Sequence, residues 1–200
     1  MALVFNGTNN TIGGLAVGGL PDGIVDADMI ATDAVTAPKI SSVGTIINYT
    51  QVESDTDTDL GSHTNYAWTT APSPFNAITI TTKKAGSNFK IVLYVPFYQD
   101  NGDLDIGITA SYKIGSGSYT RLGHVDQQYD TGLWAGYFNS PSGASDYVYP
   151  VNINYMHTPS SYSAGDVLTY KFEYWTNRDD CHWNGIRPCR AYARIEEVNV

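Results

Sequence analysis

The sequence predicts an all-β protein: an antiparallel β-sandwich of jelly-roll-like type, preceded by an extended N-terminal arm with short helical turns. Three observations carry this. From residue 45 to the end, β-branched and aromatic residues recur with period two between turn residues. No stretch keeps a 3.6-residue apolar period over three turns. Of the 20 acidic residues, 16 are Asp and 4 are Glu, and Asp belongs to turns and caps whereas Glu belongs inside helices.

The arm comes first, residues 1–44. All 15 Tyr and 4 Trp fall at or after Tyr49, and the arm holds a single aromatic, Phe5. It is rich in glycine and has no Lys or Arg before Lys39. Alone it cannot bury enough surface to offset its ordering entropy, so it is expected to be disordered or ordered by partners. Within it Val25-Asp-Ala-Asp-Met-Ile30 is echoed ten residues later by Val35-Thr-Ala-Pro-Lys-Ile40. Asp26 and Thr36 stand where a helix N-cap would, and Pro38 suits a first helical turn. Each unit reads as an apolar anchor, a cap and one turn. Two such units cannot form a core alone, but Val25, Ile30, Val35 and Ile40 of several copies could meet on an axis.

The head follows, residues 45–200. Strands are expected over 46–52, 77–82, 89–98, 104–112, 119–123, 133–138, 147–156, 167–175 and 191–198. In 167–175, Leu168, Tyr170, Phe172 and Tyr174 share one face and Thr169, Lys171 and Glu173 the other, which predicts a strand with one face in the core and one in solvent. Gly115-Ser-Gly-Ser reads as a hairpin turn, since no helix follows to make it a phosphate loop. Glu53, Asp55, Asp57 and Asp59 read as an exposed strand edge or loop that discourages edge pairing.

With both halves described, a resemblance can be stated. Asn6-Gly-Thr-Asn-Asn-Thr-Ile-Gly-Gly-Leu-Ala-Val-Gly-Gly-Leu-Pro-Asp-Gly23, running into the two short repeats, resembles the N-terminal segments of bacteriophage fibre and other virion surface proteins, especially those of marine and cyanobacterial phages. The head, through Ala85-Gly-Ser-Asn-Phe-Lys-Ile-Val-Leu-Tyr-Val95, Tyr112-Lys-Ile-Gly-Ser-Gly-Ser-Tyr-Thr-Arg-Leu-Gly123 and Ala193-Arg-Ile-Glu-Glu-Val198, is similar to their small terminal β-domains. The resemblance implies a homotrimeric structural or adhesive component of the virion, bound through its arm to other virion proteins. Two functions follow as expectations: a tail-fibre or spike head that meets host-surface polysaccharide, or a capsid decoration protein tied to the shell.

Candidate chemistry is sparse. Asp100, Asn101, Asp103 and Asp105 gather oxygen ligands between two strong strands, as Ca²⁺ requires; the same residues also make a plain polar turn, and no cofactor is otherwise expected. Cys181 and Cys189 flank a short loop and read as a disulfide or as two reduced thiols; with His182 they lack the spacing and fourth ligand of a zinc module. Trp183, Trp134 and Tyr137 are the candidates for glycan or surface contact, with Trp175 behind them, because aromatic faces stack on sugars; Tyr170 and Tyr174 have core spacing, and Trp68 fits either role.

The exclusions are firmer. A formal charge of -9 with 11 Lys and Arg argues against nucleic-acid binding. No run approaches the roughly 18 apolar residues of a membrane span, and the first residues lack a signal peptide's basic flank, so synthesis in the cytoplasm is expected; the resemblance implies that this is the host's cytoplasm and that the protein then joins the virion. His63, His124, His157 and His182 are scattered, and no nucleophile elbow or paired-carboxylate motif is present, so no enzyme is expected.

Overall fold

The computed structural model describes residues 4–6, 11–13, 44–60, 67–99, 104–123, 133–138, 147–176, 181–184 and 190–200. The chain divides into two units, Met1–Ile40 and Ser41–Val200. In the first, β1 (Val4–Asn6) pairs antiparallel with β2 (Thr11–Gly13), setting Phe5 opposite Ile12. The sequence pattern predicts no strands in the arm, because three-residue segments fall below what alternation can reveal. Val25, Ile30, Val35 and Ile40, with the helical turns expected around them, lie outside the described residues.

The second unit contains β3 (Ile46–Ser54), β4 (Thr58–Asp59), β5 (Thr69–Thr70), β6 (Ile78–Thr81), β7 (Asn88–Gln99), β8 (Leu104–Ile114), β9 (Thr120–Arg121), β10 (Trp134–Phe138), β11 (Tyr147–His157), β12 (Val167–Thr176), β13 (Cys181–Trp183) and β14 (Ala191–Val198). All described pairings are antiparallel, and the described residues include no helix. One sheet runs β11, β7, β14, β3, with β13 and β4 continuing the last two rows past the ends of β14 and β3. The other runs β8, β12 at its centre, with β10 and β9 sharing one flank and β5 and β6 the other.

Alternation builds the core between these sheets. From β7, Phe89, Ile91, Leu93, Val95 and Phe97 are fully buried; from β12, Leu168, Tyr170, Phe172 and Tyr174 face them. Phe89 lies 6.2 Å from Tyr170 between ring centroids, across the gap between the sheets. Each such side chain contributes about 1.5–3 kcal/mol by leaving water. Tyr170 and Tyr174 are core residues, as their spacing predicted. The fully buried Glu197 carboxylate accepts the backbone N–H groups of Lys83 (2.8 and 3.0 Å) and Lys84 (2.9 Å), fixing the turn that leads into β7.

Trp183 corrects one expectation. It was a surface-contact candidate because its neighbours, His182 and Asn184, are polar. It is 1% exposed, in a short strand, with Phe97, Phe75 and Tyr174 at 5.1, 5.5 and 5.9 Å. Three residues are too few to show alternation, yet pairing to β7 turns the indole inward while His182 points out to Asp57, 2.9 Å away.

A buried histidine couples the fold to pH. His157, 5% exposed, sits 3.0 Å from the Tyr170 hydroxyl through Nδ1 and edge-on to Tyr112 at 4.2 Å. Burial lowers its pKa from 6.5 to about 4. The unfolded chain therefore takes up this proton first, and stability complete above pH 6.5 declines as pH falls towards about 4. The loss should be on the order of 2–3 kcal/mol. Urea unfolding across that range should show it, and His157→Gln should flatten the dependence.

Candidate functional site

The outer face of the β8–β12 sheet is the most chemically differentiated surface among the described residues. Register places it there. Away from the core, β12 presents Thr169, Lys171, Glu173 and Trp175, and β8 presents Gly107, Thr109, Ser111 and Lys113, with Lys171 opposite Ser111 and Trp175 opposite Gly107. Arg121 of β9 stands opposite Ser111 on the other side. Lys171, Ser111 and Arg121 thus form one cross-strand row with Glu173 diagonal to it.

This face was expected to be solvated, and Glu173 corrects that: it is 5% exposed. Arg121 grips its carboxylate as a fork, Nε to Oε2 and Nη2 to Oε1, both at 3.1 Å. Lys171 Nζ donates to Oε1 at 3.1 Å, and the Ser111 hydroxyl donates to Oε2. Burial by itself would raise the carboxyl pKa; the hydrogen bonds from Arg121, Ser111 and Lys171 outweigh it and hold the group below its usual range.

Aromatic rings cover the cations. The Arg121 guanidinium lies 5.1 Å over Trp68, and the Lys171 and Lys113 ammonium groups lie 4.7 and 5.0 Å from the Tyr119 ring. Tyr119 follows the Gly115–Gly117 turn, where Gly115 has φ +53° and Gly117 N–H bonds to the Ile114 carbonyl at 3.0 Å, confirming the hairpin turn read from sequence. The ring remains 38% exposed. Burial and the Glu173 charge raise its phenol pKa. Among the described residues Lys113 has no carboxylate partner.

At the far end Trp68 meets Trp175 edge-on at 6.4 Å. Trp175 is 5% exposed, so little of it is available for surface contact. Its indole lies across Gly107, where an added Cβ would come within 2.2 Å of Nε1. Gly107→Ala should therefore displace the indole and destabilise the head by about 1–3 kcal/mol. Thermal unfolding together with the tryptophan emission spectrum would register both effects.

Other candidates are placed more simply. Trp134 and Tyr137 lie on β10, with backbones opposite Ile108 and Asp105; their side chains lie outside what is described. Asp105 is on β8, whereas Asp100, Asn101 and Asp103 lie outside the described residues. Among the described residues no group of three His, Cys, Asp or Glu could hold a metal. Cys181 is buried and Cys189 lies outside the described residues. Glu53, Asp55, Asp57 and Asp59 are exposed along the β3–β4 edge, as expected; Glu53 pairs with Arg190 at 3.1 Å. No described helix is long and apolar enough to cross a membrane.

Sequence reasoning missed Lys113, Tyr119, Arg121 and the buried role of Glu173. A signal existed: with 11 basic residues in 200, two of them, Lys113 and Arg121, bracket a hairpin carrying a tyrosine. Only the β8–β12 register adds Lys171 to them.

No protein-family model matches this chain, nor does any curated protein. Among solved structures it is similar to the TNF protein Eiger from S. frugiperda, at 12% identity over 79% of this chain and 90% of that one, with a TM-score of 0.24. It is also similar to the VP2 subviral particle of infectious bursal disease virus, at 14% identity over 76% of this chain and 37% of that one, with a TM-score of 0.26. Likenesses of this size specify neither the family nor the function of the chain.

Proposed function

We propose that this chain is a non-enzymatic surface protein of a bacteriophage virion, a tail-fibre or spike component whose head meets the host surface and whose arm joins it to other virion proteins. A jelly-roll reading of the sandwich is supported by the strand order: β3 stands beside β14, then β7 and β11, while β6 stands beside β12, then β8 and β10, so that the first and last long strands are neighbours and the chain changes sheet between successive long strands except from β8 to β10. Fold alone does not give function. The observation that carries the reading is the half-exposed strip of cations and aromatic rings on the outer β8–β12 face, which the core does not require.

Assembly as a homotrimer fits the opposite face. Tyr49 is 65% exposed, Met156 48% and Tyr192 37%, all outward on the β3–β14–β7–β11 sheet. Such side chains gain by contact with further copies. Light scattering of the intact protein should give three times the chain mass of 21.8 kDa.

Antibodies against the head provide the test of location. Immunogold electron microscopy of particles should place label on the tail. Label spread over the capsid would overturn the tail reading in favour of shell decoration.

A further inference from the structure

We infer that the strip from Trp68 to Lys113 on the outer β8–β12 face binds an acidic polysaccharide, with Tyr119 stacked on a sugar ring and Lys113 and Arg121 meeting its anionic groups. This rests on the host-contact reading above and names the ligand.

Charge comes first. In a chain of formal charge -9, this face holds three cations, Lys113, Arg121 and Lys171, against one carboxylate, Glu173. The next carboxylate on the same face among the described residues is Asp105, eight residues along β8 from Lys113. At about 3.3 Å per residue that is roughly 26 Å from Lys113, about three Debye lengths at physiological salt, whereas Gly107, opposite Trp175 at the Trp68 end of the strip, is only two residues from Asp105. An approaching anion therefore meets a locally positive surface at the Lys113–Tyr119 end of the strip despite the acidic whole. Three cations are too few for the phosphate contacts of a nucleic acid.

Preorganisation comes second. Glu173 fixes Arg121 and Lys171 through charged hydrogen bonds at 3.1 Å, so little side-chain freedom remains to be lost on binding. It does not reach Lys113, whose ammonium, 5.0 Å from the Tyr119 ring, is open to a ligand anion. The Tyr119 ring is held against two ammonium groups and stays 38% exposed. Trp68, half-buried under the Arg121 guanidinium, offers a second ring further along. Rings flanked by cations suit a polymer that alternates sugar faces with carboxylate, sulfate or phosphate groups. A neutral glucan would leave Lys113 without an anionic partner.

The test is affinity electrophoresis of the full-length protein in native gels containing alginate, dextran sulfate, neutral dextran or poly-L-glutamate. The inference expects retardation by alginate or dextran sulfate, weakening as salt is raised, and none by dextran. Lys113→Ala and Tyr119→Ala should each weaken it at least fivefold at unchanged Tm, while Tyr119→Phe, which keeps the ring, should retain it. Absence of retardation by either acidic polysaccharide would overturn the inference. So would equal retardation by dextran, equal retardation by poly-L-glutamate, which offers charge without sugar, or insensitivity to both alanine variants. If the protein blocks phage adsorption but ignores acidic polysaccharides, the ligand chemistry falls and the host-contact reading stands; if it binds them without affecting adsorption, the reverse holds.

Discussion

Glu173→Ala is expected to destabilise the head by about 3 kcal/mol, towards the lower end of what breaking a buried ion pair costs. The carboxylate is 5% exposed and receives Arg121, Lys171 and Ser111. Its removal leaves two cations facing each other. Arg121 and Lys171 keep 33% and 18% of their side-chain surface in water, which hydrates them in part and moderates the loss. Acid should reproduce the effect in the wild type. The carboxyl pKa is depressed in the folded state, so the stability it confers is present above its unfolded value of 4.5 and is lost as pH falls through the lower folded value. Urea unfolding at pH 7 and at pH 3 measures both, and the gap between wild type and variant should shrink at the lower pH.

Trp183→Ala is expected to cost about 3–5 kcal/mol, the range for deleting a large aromatic from a packed core. The indole fills the space between Phe75, Phe97 and Tyr174, rings that cannot grow to refill it. Its Nε1 meets no hydrogen-bond acceptor among the described residues, so Trp183→Phe forfeits volume without breaking a polar contact and should cost well under half as much. Thermal melts of the two variants separate this from a surface role, in which neither would shift Tm.

The sequence carried the long strands well, for a physical reason. Nine period-two runs mark β3, β6, β7, β8, β9, β10, β11, β12 and β14 within a few residues, because each is long enough, or close enough to a glycine turn, for alternation to show. The two-residue β4 and β5 and the three-residue β13 escaped, since pairing to a longer neighbour, not their own composition, makes them strands. Trp183 was misplaced for the same reason: a polar flanking sequence says nothing about which way a residue points once β7 fixes its register. The candidate site was less legible still. Lys171 and Glu173 looked like an ordinary solvated face of β12, and the residues that cover them, Arg121, Tyr119 and Trp68, are dozens of positions away in sequence. A carboxylate buried by cations and rings from three other strands and loops exists only in the register.

The central claim is that this face is the working surface of the head. Competition of phage adsorption by purified full-length protein tests it most directly, comparing the wild type with a Lys113→Ala/Tyr119→Ala double variant of equal Tm. The wild type should slow adsorption to host cells, and the variant should need at least tenfold more protein for the same effect. Equal competition by both would contradict the claim and move the host contact elsewhere on the chain.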